Sequence, residues 1–323
     1  MLAVRAIRLA PEDPLSALEV GEVPDPECPS GWVRVHVRAA ALNHHDLWSL
    51  KGVGLRSDRL PMILGCDAAG VDEDGNEVIV HAVIADPDAG DGDETLDPAR
   101  SLLSELHPGT LAEQICVPRR NLIPKPSSLD FTEAACLPTA WLTAYRMLFT
   151  RASLRPGETV LIQGAGGGVA TALILLARSA GLRVWVTSRD GAKRQRALEL
   201  GAHETFESDE RLPARVDAVM ETVGRATWKH SVRSLRPGGV VVVSGATTGD
   251  DPSADLTQMF FMQRSVIGST MGTRGELQRL VNLCDSSGIR PVIDSIRPLA
   301  DARSGFERML EGDGFGKIVF NID

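Results

Sequence analysis

The stretch Val160-Leu-Ile-Gln-Gly164-Ala-Gly166-Gly167-Gly168-Val-Ala170 decides the fold of this chain, because an apolar run leads directly into clustered glycines. The apolar run predicts a strand, and the residues after the glycines predict a helix over Val169–Ala180. A strand, a glycine turn and a helix in this order let the backbone approach a bound pyrophosphate closely. The fingerprint positions are Ala165, Gly167 and Ala170, so the flanking elements carry more weight than the glycines. A glycine-rich turn with only a packing role is the alternative.

The residues on either side of this turn alternate between strand-like and helix-like patterns. The predicted strands are Glu158–Gln163, Arg183–Thr187, Val216–Glu221 and Gly239–Ser244, and a second helix is predicted over Lys193–Leu200. Strands separated by helical segments of about 10–15 residues imply βαβ units and a parallel sheet with helices on its faces. This part of the chain is therefore predicted to be a doubly wound α/β domain.

Roughly the first 125 residues have a different texture, with short strands separated by turns. Trp32–Arg38 alternates apolar and polar residues with a period of two, and Glu77–Val80 is a second strand-like run. The acidic, turn-rich composition of Asp86–Glu94 predicts an exposed loop. Calcium binding is the alternative, and it is less favoured because the carboxylates and the glycine do not follow the spacing of an EF-hand loop. Phe131–Phe149 predicts a helix that Pro138 should kink or divide. A β-rich domain is therefore expected beside the α/β domain.

Length and composition place the chain among ordinary soluble proteins. Its 323 residues suggest about two domains, and 34 Lys and Arg against 43 Asp and Glu give a net charge of −9. A net negative charge disfavours binding to nucleic acid or to an anionic membrane surface. No apolar run approaches the ~18 residues of a membrane span. The N-terminus lacks a signal-peptide core. We therefore expect a cytoplasmic protein with no nucleic-acid or membrane partner.

The cysteines are scattered through the sequence. They are Cys28, Cys66, Cys116, Cys136 and Cys284. Their number is odd and none forms a CxxC pair, so the pattern predicts neither a disulfide framework nor a zinc knuckle. Such cysteine usage is typical of a reducing compartment.

The end of the second predicted strand of the α/β domain indicates which nucleotide would bind. A site for NAD places an acidic residue about 20 residues after the glycine turn. Here the strand is followed by Ser188 and Arg189, and Lys193 comes shortly after. A hydroxyl and a guanidinium would hold a 2′-phosphate through charge-assisted hydrogen bonds, so NADPH is predicted over NADH. The alternative is that Arg189 is an ordinary exposed arginine.

These residues belong to a longer series of stretches with a family resemblance. The stretches are the glycine turn together with Ala40–Asp46, Ile63–Gly70, Ala134–Tyr145, Glu221–Gly224, Leu235–Gly239, Gly268–Gly272 and Gly316–Val319. In this order they resemble the medium-chain dehydrogenase/reductase superfamily over nearly the whole chain, and most of all its zinc-independent NADPH:quinone oxidoreductase branch. The resemblance implies a discontinuous GroES-like catalytic domain (1–128 and 273–323), a Rossmann NADP-binding domain (129–272) and a cleft between them. It also implies a homodimer formed at the sheet edge near Ser265–Ser269.

The chain departs from the zinc-containing members of that superfamily. Zinc alcohol dehydrogenases bind the catalytic metal through a Cys, a His and a further Cys or acid, and the matching positions here are Asn43, Cys66 and Thr139. An amide, a thiol and a hydroxyl make a poor tetrahedral zinc site. Relatives with a structural zinc carry four close cysteines where this chain has none, in Val83–Gly109. Neither zinc is therefore expected. The alternative is a metal site built from His44, His45, Asp46 and Cys66.

The expected lack of a Lewis acid restricts the reaction. Without one, the reduction of an isolated ketone loses the main stabiliser of its alkoxide charge. A quinone or an enone spreads that charge over several atoms, so a few hydrogen-bond donors are sufficient. We therefore expect hydride transfer from NADPH to a quinone, an enone or a similar electron-poor alkene. The alternatives are a zinc-dependent alcohol dehydrogenase-like enzyme with atypical ligands and a catalytically silent NADPH-binding redox sensor.

The resemblance implies roles for individual residues. Asn43 should approach the substrate or the nicotinamide, and Thr143 and Val169 should pack on the nicotinamide. Lys317 should reach the cofactor phosphates. The proton donor is left open among His45, His44, Tyr145 and water. The other expected cofactor-binding residues are Gly164, Gly166, Gly167, Gly168, Ser188, Arg189, Lys193, Gly245, Thr270, Met271 and Gly272.

Overall fold

A strand of ten residues, Trp32–Ala41, is the centre of the first of two structural units. The computed structural model describes residues 1–322. The first unit contains residues 1–142 and 272–322, and the second contains residues 143–271. Residues 129–142 and Gly272, which the family resemblance assigns to the Rossmann domain, group with the first unit. The helix Phe131–Ala135 lies there because it packs against the central strand and its neighbours.

The N-terminal part of the first unit consists of short strands and two helices. Its elements are β1 (Leu2–Ala6), β2 (Leu18–Glu22), β3 (Trp32–Ala41), α1 (His44–Lys51), β4 (Met62–Ile63), β5 (Asp67–Asp72), β6 (Glu77–Val80), β7 (Val83–Ile84), β8 (Ser101–Leu102), β9 (Gln114–Pro118), β10 (Leu122–Pro124) and α2 (Phe131–Ala135). Along β3, inward-facing residues such as Val33, Val35 and Val37 are buried. The period-two pattern of the sequence thus predicts the correct face of the strand.

The predicted helix Phe131–Phe149 is divided. After α2, Leu137–Trp141 forms a wider π-helical turn that contains Pro138. The chain continues through α3 (Leu142–Tyr145) and a second π-helical stretch, Arg146–Arg151. Proline has no N–H to donate, so a regular α-helical ladder cannot pass through this position.

The second unit is a parallel sheet with helices between its strands. Its elements are β11 (Thr159–Gln163), α4 (Gly168–Ser179), β12 (Arg183–Thr187), α5 (Gly191–Glu199), β13 (Glu204–Phe206), β14 (Val216–Glu221), α6 (Arg225–Ser234), β15 (Leu235–Val243), α7 (Leu256–Phe261) and β16 (Ser265–Gly268). The strand order is β13-β12-β11-β14-β15-β16. This is the doubly wound Rossmann order, which reverses between β11 and β14. The predicted α/β fold class is confirmed.

The C-terminal residues return to the first unit and complete its sheet. They form α8 (Arg274–Ser287), β17 (Ile293–Pro298), α9 (Ala302–Glu311) and β18 (Lys317–Asn321). β18 pairs with β3, where Val319 lies opposite Ala41. On its other edge the same end of β3 pairs with β5, where Ala41 lies opposite Asp67. Sheet pairing therefore brings together three segments that are distant in sequence.

The core of the second unit lies where the sheet meets α6. Trp185 of β12 packs edge-on against Phe206 of β13, with ring centroids 5.4 Å apart. Leu161, Val219 and Val241 extend the same buried cluster across the sheet. Burial of each such side chain contributes about 1.5–3 kcal/mol to the stability of the folded state, and this core fixes the positions of the strand ends. Within residues 1–322, no helix has both the length and the apolar character needed to cross a bilayer.

The prediction that the cysteines form no disulfide is wrong for one pair. Cys28 and Cys116 are joined by a disulfide, whereas Cys66, Cys136 and Cys284 are free and buried. The joined residues are 88 positions apart. Cys28 lies in the segment just before β3, and β9, which contains Cys116, pairs with the first half of β3. This pairing brings the two cysteines together. No local spacing pattern signals such a pair.

Candidate active site

The glycine turn lies between β11 and α4, where the strand order reverses. Gly164 has φ +85°, a backbone conformation that glycine adopts without steric cost. Gly167 precedes the first residue of α4, and a Cβ built there would have no neighbour within 4 Å. The first N–H groups of an α-helix have no intrahelical partner, and in α4 no side chain caps them. The turn therefore offers open space and N–H donors, which fit the pyrophosphate of a dinucleotide.

The loop after β14 forms the other side of this turn. A Cβ at Gly164 would lie 3.7 Å from Cγ2 of Val223. The buried Glu221 carboxylate accepts hydrogen bonds from the N–H groups of Val223 (2.7 Å) and Gly224 (3.0 Å). Its other oxygen accepts from the Thr227 hydroxyl at 2.8 Å. A fully hydrogen-bonded carboxylate thus fixes the loop that faces the glycine turn.

Polar and basic residues gather where β12 ends and α5 begins. Ser188 follows β12, and Asp190 caps α5 through the N–H groups of its first turn. The structure therefore brings the predicted residues Ser188, Arg189 and Lys193 to one strand end. Arg194, which sequence reasoning missed, donates a hydrogen bond from Nη1 to the Ser188 carbonyl at 2.7 Å. Its Nη2 pairs with Glu207 Oε1 at 3.1 Å, so Arg194 braces the strand end and its charge is already balanced by a carboxylate.

The remaining expected cofactor residues lie near the ends of other elements. Gly245 follows β15, and a Cβ there would approach the Thr222 carbonyl oxygen to 3.1 Å. Thr270 and Met271 follow β16, and Met271 has a left-handed backbone with φ +35°. Thr143 lies in α3 and is buried. Their roles toward a cofactor stay predictions.

In the first unit, Asp46 fixes the start of α1. Its Oδ2 accepts from the N–H of Asn43 at 2.8 Å, and its Oδ1 accepts from the N–H of Gly65 at 2.9 Å. The side chain is fully buried, and burial raises the pKa of this carboxyl. The start of α1 is thereby tied to the segment that leads into Cys66 and β5.

A buried lysine network, made of Lys317, Leu42, Asn43 and Asp67, lies beneath this helix start. The Lys317 ammonium donates to the Leu42 carbonyl (2.8 Å), to Asn43 Oδ1 (2.6 Å) and to Asp67 Oδ2 (2.9 Å). Asn43 Nδ2 also donates to Asp67 Oδ2 at 2.9 Å. Lys317 is only 2% exposed.

This network corrects the expectation that Lys317 reaches the cofactor phosphates. An ammonium has three N–H donors, and three acceptors of the first unit take them. The physical reason is the pairing of β5 and β18 with the same end of β3, which brings Asp67 beside Lys317. The same network holds both ends of the buried Asn43 amide, so this side chain is fixed within the first unit.

The three positions that match zinc ligands do not fit zinc. The Asn43 oxygen already accepts from the Lys317 ammonium. Cys66 offers one thiol, and the Thr139 hydroxyl is buried without a hydrogen-bond partner. Zinc prefers Cys, His and carboxylate donors in a tetrahedral set. Across residues 1–322, no group of three His, Cys, Asp or Glu side chains is arranged to hold a metal ion.

Beside Asn43 lies the His45 cluster, made of His45, Cys66, Ser104 and Glu105. Nε2 of His45 is 2.8 Å from Glu105 Oε1. Nδ1 is 3.5 Å from the Cys66 sulfur and 3.4 Å from the Ser104 hydroxyl. Burial lowers the pKa of His45, but Cys66 and Glu105 outweigh it and raise that pKa well above its usual value. The cluster therefore favours a protonated imidazole.

The other candidate proton donors lie elsewhere. His44 is exposed on the first turn of α1. Tyr145 lies in the second unit, where its ring packs edge-on against Phe149 with centroids 4.9 Å apart. Sequence reasoning missed Glu105, which is 60 residues from His45 in a segment without a recognisable pattern. Only the fold reveals this carboxylate.

Known proteins resemble this chain over nearly its whole length. The family model for the alcohol dehydrogenase GroES-like domain matches residues 29–127, and the model for zinc-binding dehydrogenases matches residues 168–286. The acryloyl-coenzyme A reductase of Metallosphaera sedula is 30% identical, over 93% of this chain and 95% of its own. The quinone oxidoreductase of Rattus norvegicus is 27% identical over 99% and 97%.

Solved structures agree with these matches. The crystal structure of an NAD-dependent alcohol dehydrogenase is 32% identical and covers 100% of both chains with a TM-score of 0.92. The chain therefore belongs to the medium-chain dehydrogenase/reductase superfamily and is an oxidoreductase.

Proposed function

We propose that this protein is an NADPH-dependent reductase that delivers hydride to a quinone, an enone or a similar electron-poor alkene without zinc. The observation that carries the proposal is the hydrogen bond from the Lys317 ammonium to Asn43 Oδ1. Asn43 stands at a position that zinc enzymes use for a metal ligand, and this bond occupies its side-chain oxygen. Reduction of an isolated ketone without a Lewis acid loses its main charge stabiliser. A conjugated acceptor needs only hydrogen-bond donors at its oxygen.

The residues of the second unit support a nicotinamide cofactor. Gly167 and the first turn of α4 would hold the pyrophosphate, and Ser188, Arg189 and Lys193 would hold the 2′-phosphate. When bound, the cofactor supplies the hydride. A matched structure of this fold is NAD-dependent, so the fold alone does not select NADPH, and that choice rests on the basic residues after β12.

The His45 cluster supports a proton donor for the same reaction. Hydride addition to a conjugated acceptor leaves negative charge on the substrate, and a protonated imidazole can stabilise and then neutralise it. Two relatives have names of the proposed substrate class, a quinone oxidoreductase and an acryloyl-coenzyme A reductase. We therefore place His45 at the proton step, with Asn43 clamped beside it.

The proposal is tested with a panel of quinones, enones, aldehydes and alcohols. NADPH and NADH consumption is followed for each compound before and after chelator treatment, with metal analysis of the purified protein. We expect chelator-insensitive oxidation of NADPH by quinones or enones. Activity on alcohols that disappears with chelator would establish the zinc enzyme instead. NADPH binding without turnover of any compound would establish the silent redox sensor.

We also propose that the protein is a homodimer through the edge of the Rossmann sheet. β16 is the last strand of that sheet and Val266 on it is exposed. Large apolar side chains beside it are exposed too, with Phe260 at 68% and Phe261 at 76%. An apolar patch next to an open strand edge is typical of an interface. Sedimentation velocity should show a dimer that Phe260→Glu with Phe261→Glu dissociates, and a wild-type monomer would contradict the proposal.

A further inference from the structure

We propose that Glu105 is a positioning residue for proton transfer by His45. This inference rests on the proposed function and names a residue that the family resemblance does not supply. The carboxylate holds Nε2 of the imidazole at 2.8 Å. It thereby decides which ring nitrogen gives its proton to the reduced substrate.

The two sides of the imidazole are held unequally. The 2.8 Å separation between Nε2 and Glu105 is that of a strong, charge-assisted hydrogen bond. Nδ1 lies 3.4 Å from the Ser104 hydroxyl, which is long for an N–H···O bond, and 3.5 Å from the Cys66 sulfur, which is an ordinary distance to a weak acceptor. The proton on Nδ1 is therefore the easier one to transfer, whereas the proton on Nε2 stays with Glu105.

The transfer leaves a single neutral tautomer. The Nδ1–H bond breaks as a bond forms between that proton and the enolate or quinol oxygen of the reduced substrate. The imidazole then keeps its Nε2 proton, because Glu105 continues to accept it. Water returns a proton to Nδ1 before the next turnover. Glu105 itself never contacts the substrate in this scheme.

The backbone around Glu105 leaves room for its carboxylate. A Cβ on Gly54, which has φ +82°, would collide with Glu105 Oε1, so glycine at this position leaves room for the contact. Ser104, the residue before Glu105, has a left-handed backbone with φ +67°. Such conformations persist where surrounding contacts stabilise them. Two separate backbone features thus accommodate one carboxylate.

The charged and titratable groups around His45 act together. Burial lowers the pKa of His45, and Cys66, Glu105 and the more distant Asp46 raise it. The net shift is upward, so the protonated form extends to higher pH than for a free histidine. Replacing Glu105 by glutamine removes one of the raising groups. The alkaline loss of activity should then occur at lower pH.

The test compares pH–rate profiles of the wild type, Glu105→Gln and Glu105→Asp. We expect Glu105→Gln to lower kcat by up to about 100-fold, a part of the contribution of a positioned general acid, to move the alkaline limb of kcat to lower pH and to leave the KM for NADPH unchanged. Glu105→Asp should restore part of kcat and of the alkaline limb. The matched control is Glu73→Gln on an exposed glutamate of the same unit, which should change neither.

A second measurement keeps the inference testable if the wild type reduces nothing. Proton NMR titration of His45, assigned by its loss in His45→Gln, reports its pKa without any turnover. A raised wild-type pKa that falls in Glu105→Gln and not in Glu73→Gln would show that Glu105 holds the protonated imidazole, even if the proposed substrate class is wrong. An unchanged titration and an unmoved pH limb in Glu105→Gln would overturn the inference, even if quinone reduction is found.

Discussion

The glycine turn of the second unit and the His45 cluster of the first unit are built in opposite ways. The turn uses backbone atoms of consecutive residues between β11 and α4, and its open space comes from missing side chains. The His45 cluster uses side chains from three segments, and Glu105 lies 60 residues from His45. A site made of local backbone leaves a pattern in the sequence. A site made of distant side chains leaves none.

The largest expected effect concerns the buried lysine network. Lys317→Met removes the ammonium and leaves the Asp67 carboxylate buried without its partner, which costs about 3–5 kcal/mol. Urea denaturation should show this loss in the free energy of unfolding. Lys51→Met, at the exposed end of α1, is the control and should change it by less than about 0.5 kcal/mol. A free energy of unfolding in Lys317→Met that stays within about 0.5 kcal/mol of the wild type, as in the control, would show that the first unit does not depend on this charge.

The next effect separates the roles of two glycines in the turn. Gly167→Ala should lower stability by no more than about 1 kcal/mol, because the new Cβ meets nothing within 4 Å and only the preference of the N-cap for glycine is lost. It should weaken NADPH binding at least tenfold, about 1.4 kcal/mol, because the methyl group occupies the space for the pyrophosphate. Gly164→Ala should instead lower stability by about 1–2 kcal/mol, because its φ is +85°.

Calorimetric titration measures the affinity for NADPH, and thermal unfolding measures the stability of each variant. Gly21→Ala on β2, where a Cβ also meets nothing, is the matched control. Wild-type affinity in Gly167→Ala would show that the turn has only a packing role.

The smallest effect concerns the end of β12. Arg189→Ala should reduce the preference for NADPH over NADH about tenfold, because one charge-assisted hydrogen bond contributes about 1.5–3 kcal/mol. The ratio of the two kcat/KM values measures it. Arg183→Ala, at the other end of the same strand, should leave the ratio unchanged. An unchanged ratio in Arg189→Ala would refute the assignment of this residue.

Much of the second unit could be predicted from residues that are neighbours in sequence. The strand Val216–Glu221 has the predicted bounds, and α4 starts one residue before the predicted Val169. The strand predicted at Gly239–Ser244 instead begins at Leu235, because Leu235 pairs with Val216 despite the glycines that follow it. Such local elements follow from periodicity and turn chemistry, and only their ends depend on pairing.

The first unit could be predicted less completely for a definite reason. Lys317 was expected at the phosphates because a motif gives the position of a residue but not its hydrogen-bond partners. The partners Asn43 and Asp67 follow only from the register of β3 with β5 and β18. Glu105 and the Cys28–Cys116 pair depend on the same kind of long-range contact.

The Cys28–Cys116 disulfide bears on where the protein functions. Thiols are kept reduced in the cytoplasm of most organisms, whereas this bond needs an oxidising environment to persist. The cytoplasmic location expected from the sequence and the bonded pair therefore make opposite forecasts for protein taken directly from its cells. Alkylation of freshly lysed cells, followed by peptide mass analysis, would show which forecast holds. Preparations made with and without a reducing agent should accordingly be treated as two distinct covalent forms.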